Sequence, residues 1–276
     1  MSTDLHFTHR FNFTAALVLF LGLIFGVLFS LGIAFLWQYY TGVPLEKVNE
    51  NVLFTMLSYL FVMLFPILAY DLFMVRAKKQ VLNFNMQSKS IWVYLMIFPM
   101  MFGMMLMVEY FTDLIPTEGG FWGEMYDEFS RTFINLSEDE AGLLILTVLF
   151  APLLEEILFR GIIQKGMINN GVKPVTAIVL ASLFFGLFHM NPWQLVGAFL
   201  LGLVLGLVYH KTQSLLMPIL LHAFNNFISS YMLIDGSAES FADLFQWKGE
   251  WVLLLGMGIF SLFCILFFIY YKKRKI

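Results

Sequence analysis

Charge is what this chain has least of. Only 13% of its residues are Asp, Glu, Lys or Arg, where a soluble domain carries roughly a quarter. Sixty percent are hydrophobic and the mean hydropathy is +0.80, so lipid rather than water must solvate most of the surface. Cysteine is almost missing too. Cys264 stands alone, which excludes an internal disulfide and a zinc-type cysteine cluster and leaves it a packing residue of the last apolar run. No glycine-rich nucleotide fingerprint occurs. Neither G-x-S-x-G nor H-E-x-x-H is present, which removes the nucleophile-elbow hydrolases and the zincins. A nucleic-acid partner is not expected.

What the chain has instead is apolar length. Runs of about 20 residues cross a hydrocarbon core, and eight occur, at 12–38, 51–75, 91–111, 142–168, 174–191, 193–210, 214–234 and 250–271. They are continuous rather than alternating, so helices and not barrel strands are predicted. The expected fold class is all-α: a polytopic membrane protein with about eight transmembrane helices in a single membrane domain, 1–276. Helices 1–3 and 8 are expected to surround the rest. The first run is too long for a cleaved signal peptide and lacks an A-x-A site, so it is kept as a helix.

Basic residues are sorted by side. With the N-terminus inside, thirteen of the 16 Lys and Arg share its side, and only Lys47, Arg131 and Lys248 fall opposite. The positive-inside rule then predicts cytoplasmic N- and C-termini, with "KKRK" (272–275) as a stop anchor. Short loops and a preference for Lys over Arg suggest a multi-pass protein of a bacterial cell membrane, with the lipid bilayer as its first partner. The one long connection, 112–141, contains "FWGEMYDEFSRTFINL". There Trp122, Met125, Tyr126, Phe129, Phe133 and Leu136 recur at helical spacing, which predicts an amphipathic helix lying in the interface. "SEDE", Ser137 to Glu140, reads as a capping box opening the fourth membrane helix.

Ionisable residues inside the bilayer are costly and call for a function. Asp71 and Glu109 lie near helix ends and can snorkel. His6 and His9 read as a solvated tail, and His210 as the end of its helix beside Lys211. Glu155, Glu156, Arg160, His189, His222, Asn225 and Asn226 remain. Glu156 and Arg160 are four apart in the favourable acid-before-base order, and their pairing offsets the burial of Arg160. Glu155 is turned about 100° from Glu156 and is left free to face a cavity. By helical rise, Glu155 lies about 20 Å above Ile168 and His189 about 22 Å above Pro174, nearly one level. His222 lies only about 12 Å above Ser214, a mismatch unless the connection before it dips inward. His222 and Asn226, four apart, project together.

A carboxylate with a histidine activates water, and His and Asn N–H groups stabilise a developing oxyanion. Hydrolysis of an amide bond within the membrane fits these groups. The residues also match a known pattern: "EEILFR" reads as EExxxR, "FGLFH" as FxxxH and "HAFNN" as HxxxN. In that order on successive apolar helices they resemble the CPBP family, the CAAX protease and bacteriocin-processing (Abi) intramembrane proteases. The resemblance places the catalytic core at 142–234 and implies an endopeptidase with an eight-helix core. It assigns Glu155 and His189 to water activation, His222 and Asn226 to the oxyanion, and Glu156 with Arg160 to support. Phe185 is expected to pack beside His189 rather than react.

Family members have been called metalloproteases, and two His with a Glu could hold zinc. A metal-free route suits Asn226 and Arg160 better, so no cofactor is expected. The expected substrate is a membrane-associated protein or peptide. Two other readings compete. A proton-coupled transporter would use intramembrane Glu and His, but no inverted repeat is present. A non-catalytic bacteriocin-immunity protein would tolerate loss of Glu155.

Overall fold

The structure is a computed structural model that describes residues 9–49, 51–238 and 240–273. His6, Arg274 and Lys275 lie outside the described residues. Within them all regular elements are helices, in the order α1 (Phe13–Thr41), α2 (Leu45–Asn49), α3 (Val52–Lys78), α4 (Ile91–Asp113), α5 (Gly120–Ser137), α6 (Glu140–Asn169), α7 (Pro174–Phe188), α8 (Pro192–Thr212), α9 (Leu216–Asp235), α10 (Phe241–Phe245) and α11 (Gly249–Lys273). The chain is an all-α polytopic membrane protein. Six helices, α1, α3, α4, α6, α8 and α11, are long and apolar enough to cross a membrane. The other two apolar runs are helical as well. However, α7 has only 15 residues, and the 20-residue α9 carries His222, Asn225, Asn226, Ser229 and Ser230. By length and composition neither qualifies as a span.

Burial sorts the helices into two groups. About half of the apolar stretch of α4, α6 and α8 is buried (50–56%), against 17–22% for α1, α3 and α11. The third helix, α4, is thus an inner element and not part of the surround expected from the sequence. It reaches that position through its methionines and Ile97: Ile97, Met100 and Met101 are fully buried in the central core with Ile162 of α6 and Val208 of α8. Thioethers adapt to the irregular space between helices. Close approach of α4 to α11 depends on glycine. A Cβ on Gly103 would sit 2.6 Å from the Phe260 backbone nitrogen.

α6 is irregular, with wide turns at Ile145–Phe150 and Ile157–Gln164 on either side of a regular segment, Ala151–Glu156. Pro152 removes one N–H from the ladder, and the irregularity falls on the turn before it. Such π-type turns are frequent at functional sites. The start of α6 differs from the capping box read from "SEDE". Asp139 is the N-cap, accepting from Gly142 N at 3.0 Å, while Ser137 belongs to the end of α5 and turns its hydroxyl back to Ile134 O.

α7 stops before His189 because the chain reverses there. Met190 takes a positive φ of 54°, Asn191 caps α8 by accepting from Gln194 N at 2.8 Å, and Pro192 supplies the first turn. The amphipathic α5 packs its aromatic face against the start of α8. Trp193 contacts Trp122, Tyr126 and Phe129 with ring centroids 6.5, 5.0 and 5.9 Å away.

Two tail and loop expectations change. His9 is not solvated; it is buried against α6, its Nε2 3.2 Å from Ile162 O, and Asn169 donates to its carbonyl. Glu109 does not snorkel freely. It accepts the backbone N–H groups of Phe241 and Ala242 at 2.6 and 2.9 Å, holding the first turn of α10.

Candidate active site

The two glutamates lie side by side on the regular segment of α6 and face different neighbours. Glu156, with no exposed surface, accepts from Arg160 Nη1 at 2.7 Å through Oε1. The same oxygen lies 2.9 Å from His222 Nδ1 of α9. Glu155 is nearly as buried. Its Oε1 accepts from the Tyr59 hydroxyl of α3 at 2.5 Å, and its Oε2 has no hydrogen-bond partner, lying 3.7 Å from His222 Nε2. One imidazole is therefore wedged between both carboxylates. The i,i+4 geometry read from the sequence for Glu156 and Arg160 is present, and Glu155 does look elsewhere. Tyr59, from a different helix, is what occupies one of its oxygens.

Arg160 is fully buried and has three kinds of neighbour. Besides Glu156, its Nη2 donates to Gly202 O of α8 at 3.3 Å, and its guanidinium stands 4.5 Å over the Phe185 ring. Gln164, one turn further, is also fully buried and donates to Gly206 O at 2.9 Å. This polar ladder between α6 and α8 needs Gly at both steps: a Cβ would fall 3.2 Å from Arg160 Nη2 at Gly202, and 2.7 Å from Gln164 Oε1 at Gly206. Small residues four apart allow helices to approach closely in lipid. The spacing "GLVLG" carried that signal.

His189 ends α7 half-buried, with Nδ1 2.9 Å from Phe185 O. A carbonyl only accepts, so Nδ1 is the donor, and in the neutral ring Nε2 is the nitrogen with the lone pair. The Phe185 ring stands 5.2 Å from the His189 ring and 5.5 Å from that of His222, joining the two histidines through one aromatic edge. Phe185 thus packs as expected, against both histidines and Arg160.

Asn226 donates to Thr147 O at 2.7 Å, across to the first wide turn of α6, and accepts from Asn225 Nδ2 at 3.0 Å. One N–H of its amide is fixed and the other is not committed. Ser230 meets the Thr147 hydroxyl at 2.9 Å one turn on. The structure thus brings Glu155, Glu156, Arg160 and His222 into one bonded cluster, attaches His189 through Phe185, and ties Asn226 to α6 at Thr147.

The depth mismatch of His222 has a physical origin. The turn between α8 and α9 is buried, with Ser214 and Leu215 at 0 and 1% exposure. Leu215 N donates to Asn85 O at 2.7 Å and Ser214 to Gln87 O at 2.6 Å. That turn is plugged beneath the segment preceding α4, so α9 starts inside the protein and His222 meets Glu156. Among the described residues, no three His, Cys, Asp or Glu side chains converge in a geometry that would hold a metal ion.

A family model described as type II CAAX prenyl endopeptidase, Rce1-like, matches residues 137–228. No curated protein and no solved structure matches the chain. The matched stretch runs from the end of α5 through α6, α7 and α8 into α9, and contains all seven motif residues from Glu155 to Asn226, Phe185 among them. Over residues 137–228 the chain is thus similar to the Rce1-like type II CAAX prenyl endopeptidases, in the stretch that carries its EExxxR, FxxxH and HxxxN motifs.

Proposed function

We propose that this membrane protein is an endopeptidase that hydrolyses a peptide bond of a membrane-associated protein or peptide, using water activated by Glu155 and His189 and no metal. The observation that carries the reading is the buried Glu155 Oε2. It accepts no hydrogen bond; Glu156 Oε2 is also unpartnered, but the Glu156 carboxylate is paired with Arg160, whereas Glu155 is held only by the neutral Tyr59 hydroxyl. An unsatisfied buried carboxylate oxygen is costly, and a site that takes up the proton of a water molecule accounts for it. His189 presents Nε2 as a second acceptor for the same water. Oxygen of the water attacks the substrate carbonyl as Glu155 takes a proton, and that proton passes to the nitrogen as the C–N bond breaks.

The developing oxyanion needs N–H donors. Asn226 offers its uncommitted N–H. His222 already directs Nδ1 at Glu156, so to donate from Nε2 as well its ring must carry both protons at that step. Glu156, facing Nδ1, then stands to this imidazolium as a carboxylate does in a catalytic triad. Arg160 holds the Glu156 carboxylate in that orientation.

Orientation and substrate belong to the same proposal. The charge sorting supports cytoplasmic termini in a cell membrane. The matched family's name specifies CAAX prenyl chains; in a bacterial membrane the corresponding substrate classes are a peptide precursor, a bacteriocin leader or another membrane protein. The test compares membranes carrying the wild type with membranes carrying Glu155→Gln by terminal-peptide proteomics, with a prenylated CaaX peptide assayed beside its unmodified form. New termini only with the wild type are expected, with activity reduced about 10²–10⁴-fold by the substitution. Identical termini in both membranes would overturn the reading.

A further inference from the structure

Tyr59 lies outside the matched segment, 96 residues before Glu155 in sequence. Its hydroxyl nevertheless donates to Glu155 Oε1 at 2.5 Å. From this geometry we propose that Tyr59 is the positioning residue for the base, fixing which oxygen of Glu155 receives the proton of water. The proposal rests on Glu155 acting as that base.

A carboxylate on a flexible side chain has two equivalent oxygens and rotates between them. A short O–H···O⁻ bond to one of them, in the range of charge-assisted bonds, removes the equivalence. Oε1 then has a committed donor, and Oε2 alone remains open beside His222 Nε2, 3.7 Å away. The other charged or titratable groups about Glu155 do not substitute for Tyr59. Glu156 and Arg160 are paired to each other on the same helix, and His222 gives its short contact to Glu156.

The position of Tyr59 is itself fixed by close packing. α3 carries it, and α1 presses against α3 where a Cβ on Gly22 would lie 2.6 Å from Pro66 Cα and one on Gly26 would lie 2.8 Å from Phe61 O. Backbones at that distance leave little freedom for sliding. The α1–α3 pair is the one-sided support of the base, and it explains why a helix remote from the sequence motifs packs on the site.

Tyr59→Phe is the test, since it deletes the hydroxyl and keeps the ring. Infrared difference spectra of the detergent-solubilised protein locate the Glu155 carboxyl band by its loss in Glu155→Gln. In Tyr59→Phe that band should shift, with no more than the modest fall in melting temperature that the loss of one buried hydrogen bond brings. On a precursor whose cleavage depends on Glu155, kcat should fall about ten- to hundredfold, the usual effect of removing a partner that orients a reacting group, and KM should hold. An unmoved band with wild-type kcat overturns the proposal. So does a larger fall in melting temperature with kcat and KM changing together, which marks a structural role. If Glu155→Gln retains full activity, the reading of Glu155 fails and this proposal with it. If Glu155→Gln is inactive while Tyr59→Phe is unaltered, only the role of Tyr59 fails.

Discussion

Glu156 and His222 meet through a single oxygen. Oε1 of the glutamate lies 2.9 Å from His222 Nδ1 and 2.7 Å from Arg160 Nη1, and all three side chains are buried. The residues come from α6 and α9, so the contact fixes the relation between the helix bearing the carboxylates and the helix bearing His222 and Asn226. Glu155, its chain neighbour, has a different set of partners. The two glutamates should therefore fail in different ways.

Removing Glu156 takes away the one carboxylate in direct contact with buried Arg160, a change that costs about 3–5 kcal/mol in buried pairs. Glu156→Ala should lower the melting temperature and abolish activity together. Replacing Glu156 and Arg160 with apolar residues should recover part of the stability and none of the activity, since His222 Nδ1 still lacks its acceptor. Glu155→Ala should lose activity with stability unchanged or raised. Melting curves in detergent beside a cleavage assay decide this. The assignment is reversed if Glu155→Ala is the unstable variant and Glu156→Ala melts like the wild type.

The polar ladder between α6 and α8 makes a second, separate claim. In Gly206→Ala the new Cβ would lie 2.7 Å from Gln164 Oε1 and 3.0 Å from Ile178 Cγ2. Gln164 is fully buried and bonded to Gly206 O, so it has little room to move. Overpacking of this kind costs about 1–3 kcal/mol, and a correspondingly lower melting temperature is expected. Gly32→Ala in α1, where nothing lies within 4 Å, should be neutral or stabilising by helix propensity. Equal melting of the two variants would show that the ladder does not constrain the interface.

Much of this architecture is legible in one dimension. Apolar length marks the helices, and the spacing of Glu156 and Arg160 places them on one face whatever surrounds them. Partners on other helices are a different matter. Tyr59 is an ordinary residue for an apolar span, because its ring is at home in lipid and only its hydroxyl needs a partner; nothing local says that Glu155 is that partner. His222 reads with Asn226 by helical period, but its bond to Glu156 depends on the buried α8–α9 turn, which hydrophobicity alone does not reveal. Gln164 and its glycines had a signal in "GLVLG", a spacing whose meaning appears only when α6 is placed against it. His9 read as a solvated tail because charge and polarity near it are those of a tail; the surface it covers is formed by residues more than 150 positions later.

Metal dependence can be tested directly. With Glu155 and His189 as the water-activating pair, prolonged treatment with a strong chelator should leave cleavage intact, and purified protein should hold less than stoichiometric zinc. Loss of activity on chelation, restored by one equivalent of a single metal, would overturn the metal-free route.

His9 gives the pH prediction. Burial, followed by the nearby charge of Lys165, lowers its pKa from 6.5 to about 4. The folded protein thus keeps His9 neutral where the unfolded chain has already taken up a proton. Its stabilising contribution is fully present above about pH 6.5 and declines as the pH falls towards 4, because in that window the unfolded state binds more protons. At 1.36 kcal/mol per unit the loss approaches about 3 kcal/mol at the acid end. The segment concerned is held by Phe11 N to Gly166 O at 2.9 Å and Asn169 Nδ2 to His9 O at 2.9 Å, so acid should loosen the tail from the end of α6. Other carboxylates titrate over the same range, so the comparison is between the wild type and His9→Ala. Melting temperature should fall more steeply from pH 7 to pH 4 in the wild type than in His9→Ala. Parallel curves would show that His9 is not held neutral by burial.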